Sequence, residues 1–137
     1  MPSAILKHSQ LTEQILNALY AVYKELGFGF LEKVYENAMA IELRNLGLQV
    51  KHQVPIEVAY KEQVVGRYDA DLIVNDLVIL ELKSAQALTD AHQAQMLNYL
   101  KATRIEVGLL LNFGPKAEFK RKAFDNSRKG TLSWIKY

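Results

Sequence analysis

"LVILELKS", residues 77–84, has the length and aliphatic content of a buried strand, yet it carries Glu81 and Lys83 two positions apart. Side chains two apart in a strand share a face. Desolvating a charge is costly even after relaxation, so a core strand keeps a carboxylate and an ammonium only with partners or for chemistry. Just upstream, "GRYDADLIV" (66–74) supplies Asp71 on what reads as the neighbouring strand, joined through Asn75-Asp76 as a hairpin. These two runs set the centre of the fold.

Working outward, "VPIEVAY" (54–60) alternates Val54, Ile56, Val58 and Tyr60 with polar or small residues, the pattern of a half-buried strand. Downstream, a helix is predicted from Thr89 to Ala102, with Ala94, Leu97 and Leu100 as its apolar side, followed by the very apolar "IEVGLLLNF" (105–113). Strand, helix, strand implies a right-handed crossover onto a parallel neighbour. Two helices precede the strands. "LTEQILNALYAVYKELG" (11–27) places Ile15, Leu19, Val22 and Leu26 at helical spacing, with Thr12 as N-cap and Gly27 as stop. After "GFGF" (27–30), a second helix runs from Leu31 to Leu46 with Val34, Ala38 and Ile41 as its stripe, and Gly47 ends it. "TLSWIKY" (131–137) reads as a last edge strand, with Trp134 plugging core or edge. The class is α/β: a small mixed sheet flanked by helices, in the order α-α-β-β-β-α-β.

The 137 residues suit one domain, 1–137, with a core of its own. Cysteine is absent, which excludes disulfides and thiolate metal sites. The start, "MPSAILKHSQLTEQ", has no apolar core of signal-peptide length and no segment approaches a membrane span, so a cytoplasmic protein without membrane association is expected. The net charge of +2 is unevenly spread. Residues 116–137 hold Lys116, Lys120, Arg121, Lys122, Arg128, Lys129 and Lys136 against Glu118 and Asp125, a basic C-terminal segment suited to a polyanion. There is no Gly-rich phosphate loop, no G-x-S-x-G elbow and no histidine pair at zinc spacing.

Asp71, Glu81 and Lys83 form the sharpest constellation. Two carboxylates on adjacent strands suit Mg²⁺ or Mn²⁺, which take one or two protein carboxylates, keep waters and leave room for a phosphate oxygen. Lys83, on the face of Glu81, is placed to orient an attacking water or to stabilise a developing anion. Register sets a condition on this. With a two-residue loop at Asn75-Asp76, Asp71 would sit opposite Leu80, and the two carboxylates would face opposite sides of the sheet. Asp69 shares the parity of Asp71 and gives no alternative. The shared site requires an odd-length loop or a bulge.

"ADLIVNDLVILELKS" (70–84) resembles the core of the PD-(D/E)XK nuclease superfamily, in which an acidic residue precedes a hairpin ending in E-x-K. Gly29, Glu32 and Tyr35 in "GFLEKVYENA", with "HQAQMLNYL" and "VGLLLNFG", are similar to the GxxExxY family of that superfamily. The resemblance runs from about residue 9 to 115. It implies that Asp71 and Glu81 are metal ligands, the backbone carbonyl of Leu82 a third, and Lys83 the catalytic lysine. It implies that Glu32 is the helical glutamate that approaches the same metal. Gln95 and Tyr99 resemble a Q-x-x-x-Y motif whose side chains support the site or touch DNA phosphates, and Tyr35 of the G-x-x-E-x-x-Y pattern is expected to join them in that role. On their own, Glu32 and Tyr35 lie one turn apart on a helix, where packing and the helix dipole are sufficient reasons for them. His92 reads as a capping or surface residue.

The function expected is metal-dependent hydrolysis of DNA phosphodiester bonds; the sequence does not by itself separate DNA from RNA. The alternative is a weakly active or inactive nucleic-acid-binding accessory module on the same fold. The first 115 residues are net acidic, which favours help from a second copy or an accessory protein in building a DNA channel.

Overall fold

The computed structural model describes residues 6–137; residues 1–5, the start of the N-terminal stretch read above, lie outside it. The first helix, α1 (Ser9–Leu26), begins before Thr12, which is buried and donates its hydroxyl to the Ser9 carbonyl (3.1 Å) instead of capping. Gly27 ends α1 as expected: its φ of 67° suits a residue without Cβ, and its N–H returns to the Tyr23 carbonyl at 2.8 Å.

The second helix, α2 (Glu32–Asn45), buries a different stripe from the one its smaller aliphatics suggest. Tyr35, Met39 and Leu43 face the core, while Val34 and Ile41 are exposed. Both sets fit a helical period. The set with the larger side chains removes more apolar surface from water, and it is the set that is buried.

Five strands follow: β1 (Val50–Tyr60), β2 (Gln63–Val74), β3 (Val78–Lys83), β4 (Val107–Phe113) and β5 (Ala117–Ala123), with α3 (Asp90–Lys101) between β3 and β4. They lie side by side in chain order, antiparallel except for the β3/β4 pair, which the α3 crossover makes parallel. The expected mixed α/β sheet is therefore present, with its last strand formed by a different stretch from the one expected. The edge next to β4 is "AEFKRKA" (117–123), not "TLSWIKY". Only Phe119 on it is large and apolar, and charged side chains suit an edge strand. Residues 131–137 instead fold back in turns. The Leu132 and Ile135 carbonyls accept from Arg104, and Ile135 is buried while Trp134 packs against the α3-side core.

The basic C-terminal segment is thus woven into the domain. Lys129 Nζ donates to the carbonyls of Thr103 and Ile105 (both 2.8 Å), and burial pulls its pKa down to about 8. Lys136 pairs with Glu57 (3.1 Å), and Arg121 donates to the Lys7 carbonyl (3.0 Å).

Both faces of the sheet are covered. Ile15, Leu19, Tyr35, Met39 and Leu43 of the two N-terminal helices meet Leu80, Leu82, Leu109, Leu111 and Phe113 on one face. Met96, Tyr99 and Leu100 of α3 meet Ile73, Ile79 and Leu110 on the other. The buried side of α3 is therefore Met96/Tyr99/Leu100, while Ala94 is exposed and Leu97 half-buried. Burial on both faces explains why "VGLLLNF", Asn112 apart, is apolar rather than alternating. Gly108 permits the close approach of α3, since a Cβ there would lie 2.3 Å from Met96 Sδ. Thr89 caps α3 by accepting from the His92 N–H, and His92 Nδ1 accepts from the Thr89 N–H in return, so His92 is a cap.

The β1/β2 pair changes faces part-way along. Val50, Leu72 and Val74 belong to the α1/α2 side, but Val54, Ile56 and Ala70 belong to the α3 side. The alternation shifts phase at Gln53, whose φ is 45°, and at Asp71 in the register position opposite.

Tyr35, fully buried, stacks on Phe113 (centroids 4.3 Å apart). Its hydroxyl donates to the Gly27 carbonyl (2.6 Å) and accepts from the Phe30 N–H (3.1 Å), pinning the "GFGF" loop. Tyr35→Phe keeps the stacking and loses both bonds. It should lower unfolding stability by about 1–3 kcal/mol in urea titrations and leave divalent-cation affinity unchanged.

Candidate active site

The β2–β3 turn meets the condition set by the sequence. Asn75 and Asp76 both have positive φ (52° and 55°), and the Leu77 N–H closes the turn on the Val74 carbonyl at 2.9 Å. The ladder then resumes with Val74 opposite Val78, so Leu77 is an added third loop residue. Ile73 faces Ile79, Leu72 faces Leu80, and the same register continued puts Asp71 opposite Glu81. The core enforces this, because a one-residue slip would turn every one of these side chains to the wrong face.

At that point the backbone ladder gives way to side chains. The Asp71 N–H donates to Glu81 Oε1 (2.9 Å), and the Leu82 N–H donates to Asp71 Oδ2 (2.9 Å). Each carboxylate therefore satisfies an amide of the other strand, and the two acids are held beside one another. In an extended strand the N–H and C=O of one residue lie on the same edge. The Leu82 carbonyl accordingly looks toward the same opening as Asp71.

The electrostatics follow from burial. Glu81 is 4% exposed. Its pKa is pushed up to about 8, first by burial and then by the charge of Asp71, with the Asp71 N–H and Lys83 opposing. Asp71 is also raised, chiefly by burial, against the Leu82 N–H and the Gln53 amide, while the charge of Glu36 adds to the rise. Lys83 Nζ approaches Gln95 Oε1 at 3.4 Å. Tyr99 is buried and its phenol is raised well above the ordinary tyrosine range, by burial and then by Glu81, Asp71 and Asp69. Its O–H therefore stays a hydrogen-bond donor at any physiological pH.

The fold brings Asp71, Glu81, Leu82, Lys83, Gln95 and Tyr99 into one neighbourhood. Tyr35 is directed elsewhere. Glu32 is exposed at the first turn of α2, and Tyr35 is spent on the core and the loop. The helical carboxylate that reaches the site is Glu36, 4% exposed, one turn beyond Glu32. Its Oε1 accepts from Gln53 (2.9 Å), and its Oε2 meets His52 Nδ1 (3.1 Å) and Lys33 Nζ (3.0 Å). The Gln53 amide also donates to Asp71 Oδ1 at 3.2 Å, linking Glu36 to the strand acids. Glu36 shares the buried face of Tyr35, Met39 and Leu43, so a carboxylate within that stripe is the sequence signal for it. Asp69 lies outside, exposed and 3.4 Å from Arg67.

Among the described residues no three His, Cys, Asp or Glu side chains converge as a complete metal cage. The donor set suits a hydrated hard cation instead: a buried carboxyl, Glu81, raised by burial and by the charge of Asp71, beside the half-buried Asp71, raised chiefly by burial, plus a carbonyl edge. A divalent ion would relieve that repulsion, so the residues present fit Mg²⁺ or Mn²⁺.

The chain belongs to the PD-(D/E)XK nuclease superfamily, whose family model matches residues 9–122. No curated protein matches it. Among solved structures, the one titled "Crystal structure of SSO0001" is similar in fold, with a TM-score of 0.53 and 18% sequence identity. That similarity covers 85% of this chain but only 59% of the other. Among the described residues no helix is long and apolar enough to cross a membrane.

Glu81 gives a pH signature. Its carboxyl ionises near 4.5 when exposed and near 8 in the fold. Between those values the folded chain holds a proton that the unfolded chain has lost, so this group lowers stability as pH rises through that window. Glu81→Gln keeps the acceptor for the Asp71 N–H and has no charge to bury. With chelator present it should melt above the parent protein at pH 8, the gap closing as pH falls toward 4.5 in thermal scans.

Proposed function

We propose that this protein is a Mg²⁺- or Mn²⁺-dependent nuclease that hydrolyses DNA phosphodiester bonds. The supporting observation is the three-residue β2–β3 loop, which sets Asp71 opposite Glu81 with Lys83 one step further along the same strand face. Within the superfamily we assign it to the GxxExxY group, on Gly29, Glu32 and Tyr35 together with Gln95 and Tyr99.

Asp71, Glu81 and the Leu82 carbonyl would hold the cation. When bound, the ion supplies Lewis acidity and offsets the charge that builds on the phosphate. Lys83 brings a positive charge and three donors to the same opening. Its ammonium, steadied by Gln95, orients the attacking water and stabilises the developing anion. Tyr99 and Gln95 offer neutral donors to phosphate oxygens, contacts that position the backbone without reading sequence.

The test is incubation with labelled linear and circular DNA, single- and double-stranded, with Mg²⁺, Mn²⁺ or chelator. Cleavage should require the metal and fall roughly a hundredfold or more in Lys83→Ala. Circular substrates separate endonuclease from exonuclease action. Cation uptake at neutral pH should release a proton, since Glu81 enters protonated, and calorimetry in buffers of different ionisation heat reads it. Binding of DNA without metal-dependent cleavage would leave the accessory-module reading in its place.

A further inference from the structure

Gln53 is the one residue inside a strand, among the described residues, with a left-handed backbone; the other non-glycine cases lie in turns or before a helix. A glutamine is strained there compared with glycine, and such strain gathers at functional sites. Two consequences follow from the conformation. It switches the faces of β1, as described above. It also aims the carboxamide between α2 and β2, where Nε2 donates to Glu36 Oε1 (2.9 Å) and Asp71 Oδ1 (3.2 Å).

The face switch alone would be served better by glycine. It gives no reason for a long carboxamide, and an asparagine, which tolerates the same backbone, is one methylene shorter. The bridge supplies the reason for glutamine. With the Leu82 N–H on Oδ2 and Gln53 on Oδ1, both oxygens of Asp71 are oriented, and each keeps a lone pair for a cation. Glu36, further held by His52 and Lys33, is drawn into the cluster through the same amide.

We propose that Gln53 is a positioning residue of the cation site, fixing the direction of Asp71 and fastening Glu36 beside it. This inference rests on Asp71 and Glu81 holding a divalent ion. Groups that hold a metal ligand in place commonly change affinity tenfold to a hundredfold when removed.

The experiment measures urea unfolding and Mn²⁺ affinity, the latter by calorimetry, in the parent protein, Gln53→Gly and Gln53→Asn. Gln53→Gly should unfold at equal or higher urea, because glycine relieves the backbone, yet bind Mn²⁺ roughly tenfold or more weakly. Gln53→Asn should lose affinity as well, its amide being too short to reach both acids. Parent-like Mn²⁺ affinity in both variants would overturn the inference and leave Gln53 as a hinge between faces. A joint loss of stability and affinity in Gln53→Gly would overturn it too, as the mark of a purely structural role. Absence of Mn²⁺ binding by the parent protein would refute the cation-site reading and Gln53's part in it together.

Discussion

The register of the β2–β3 hairpin is the constraint on which the rest depends. Leu72/Leu80, Ile73/Ile79 and Val74/Val78 are buried, and successive pairs feed opposite cores, one under α1 and α2 and the other under α3. No slip of one residue is tolerated when both faces are covered. The chemistry takes its geometry from that rigidity: the pairs that fill the two cores also set Asp71 against Glu81. Leu77 accommodates the odd spacing in the loop, where its side chain is partly exposed.

Holding two acids together works against stability, and the surroundings are built to bear it. Each acid replaces a backbone partner that the diverging strands no longer supply, so the amides of Asp71 and Leu82 are satisfied by carboxyl oxygens. The far end of β3 is anchored from β4. Asn112, fully buried and in register with Lys83, accepts from the Ala85 N–H (2.9 Å) and donates to the Ala85 carbonyl (3.0 Å). Gly114 leaves room for that loop, since a Cβ there would meet the Ala85 carbonyl oxygen at 2.2 Å. Ser84 is tied in turn to the Phe30 carbonyl (3.1 Å), on the loop that Tyr35 pins. The strained pair of acids thus lies inside a frame fixed from both sides.

What the sequence disclosed follows the scale of each signal. Long apolar runs and a motif in which charge interrupts a strand announced the sheet, the crossover and the Asp71/Glu81/Lys83 set. Stripe choice on the helices was ambiguous, because 3.6-residue periodicity admits two faces when small aliphatics are scattered, and so the buried Glu36 was not singled out beside Tyr35. β5 was hidden because an edge strand exposed to water needs few apolar residues. Gln53 left no trace at all: a left-handed residue in mid-strand is a property of backbone torsions, and glutamine carries no preference for them.

The polarity of the opening sets an order of events on the proposed reading. With Glu36 paired to Lys33, Asp71 and Glu81 outweigh Lys83, the one cation on the strand itself, so a phosphate would meet repulsion before the acids are neutralised. Raised carboxyl pKa values at Glu81 and Asp71 lessen that repulsion by retaining protons but also hold back the charge that a cation needs. A divalent ion held by Asp71 and Glu81 would resolve the conflict, since two positive charges would outweigh the net negative charge of the two ionised acids and Lys83. The DNA backbone would then arrive at a site already made positive. Gln95 and Tyr99, neutral donors on the helix that follows β3, need no charge of their own to receive it. The modest basicity outside the site suits the same order, because affinity for the polyanion would depend on the bound metal more than on a wide basic groove.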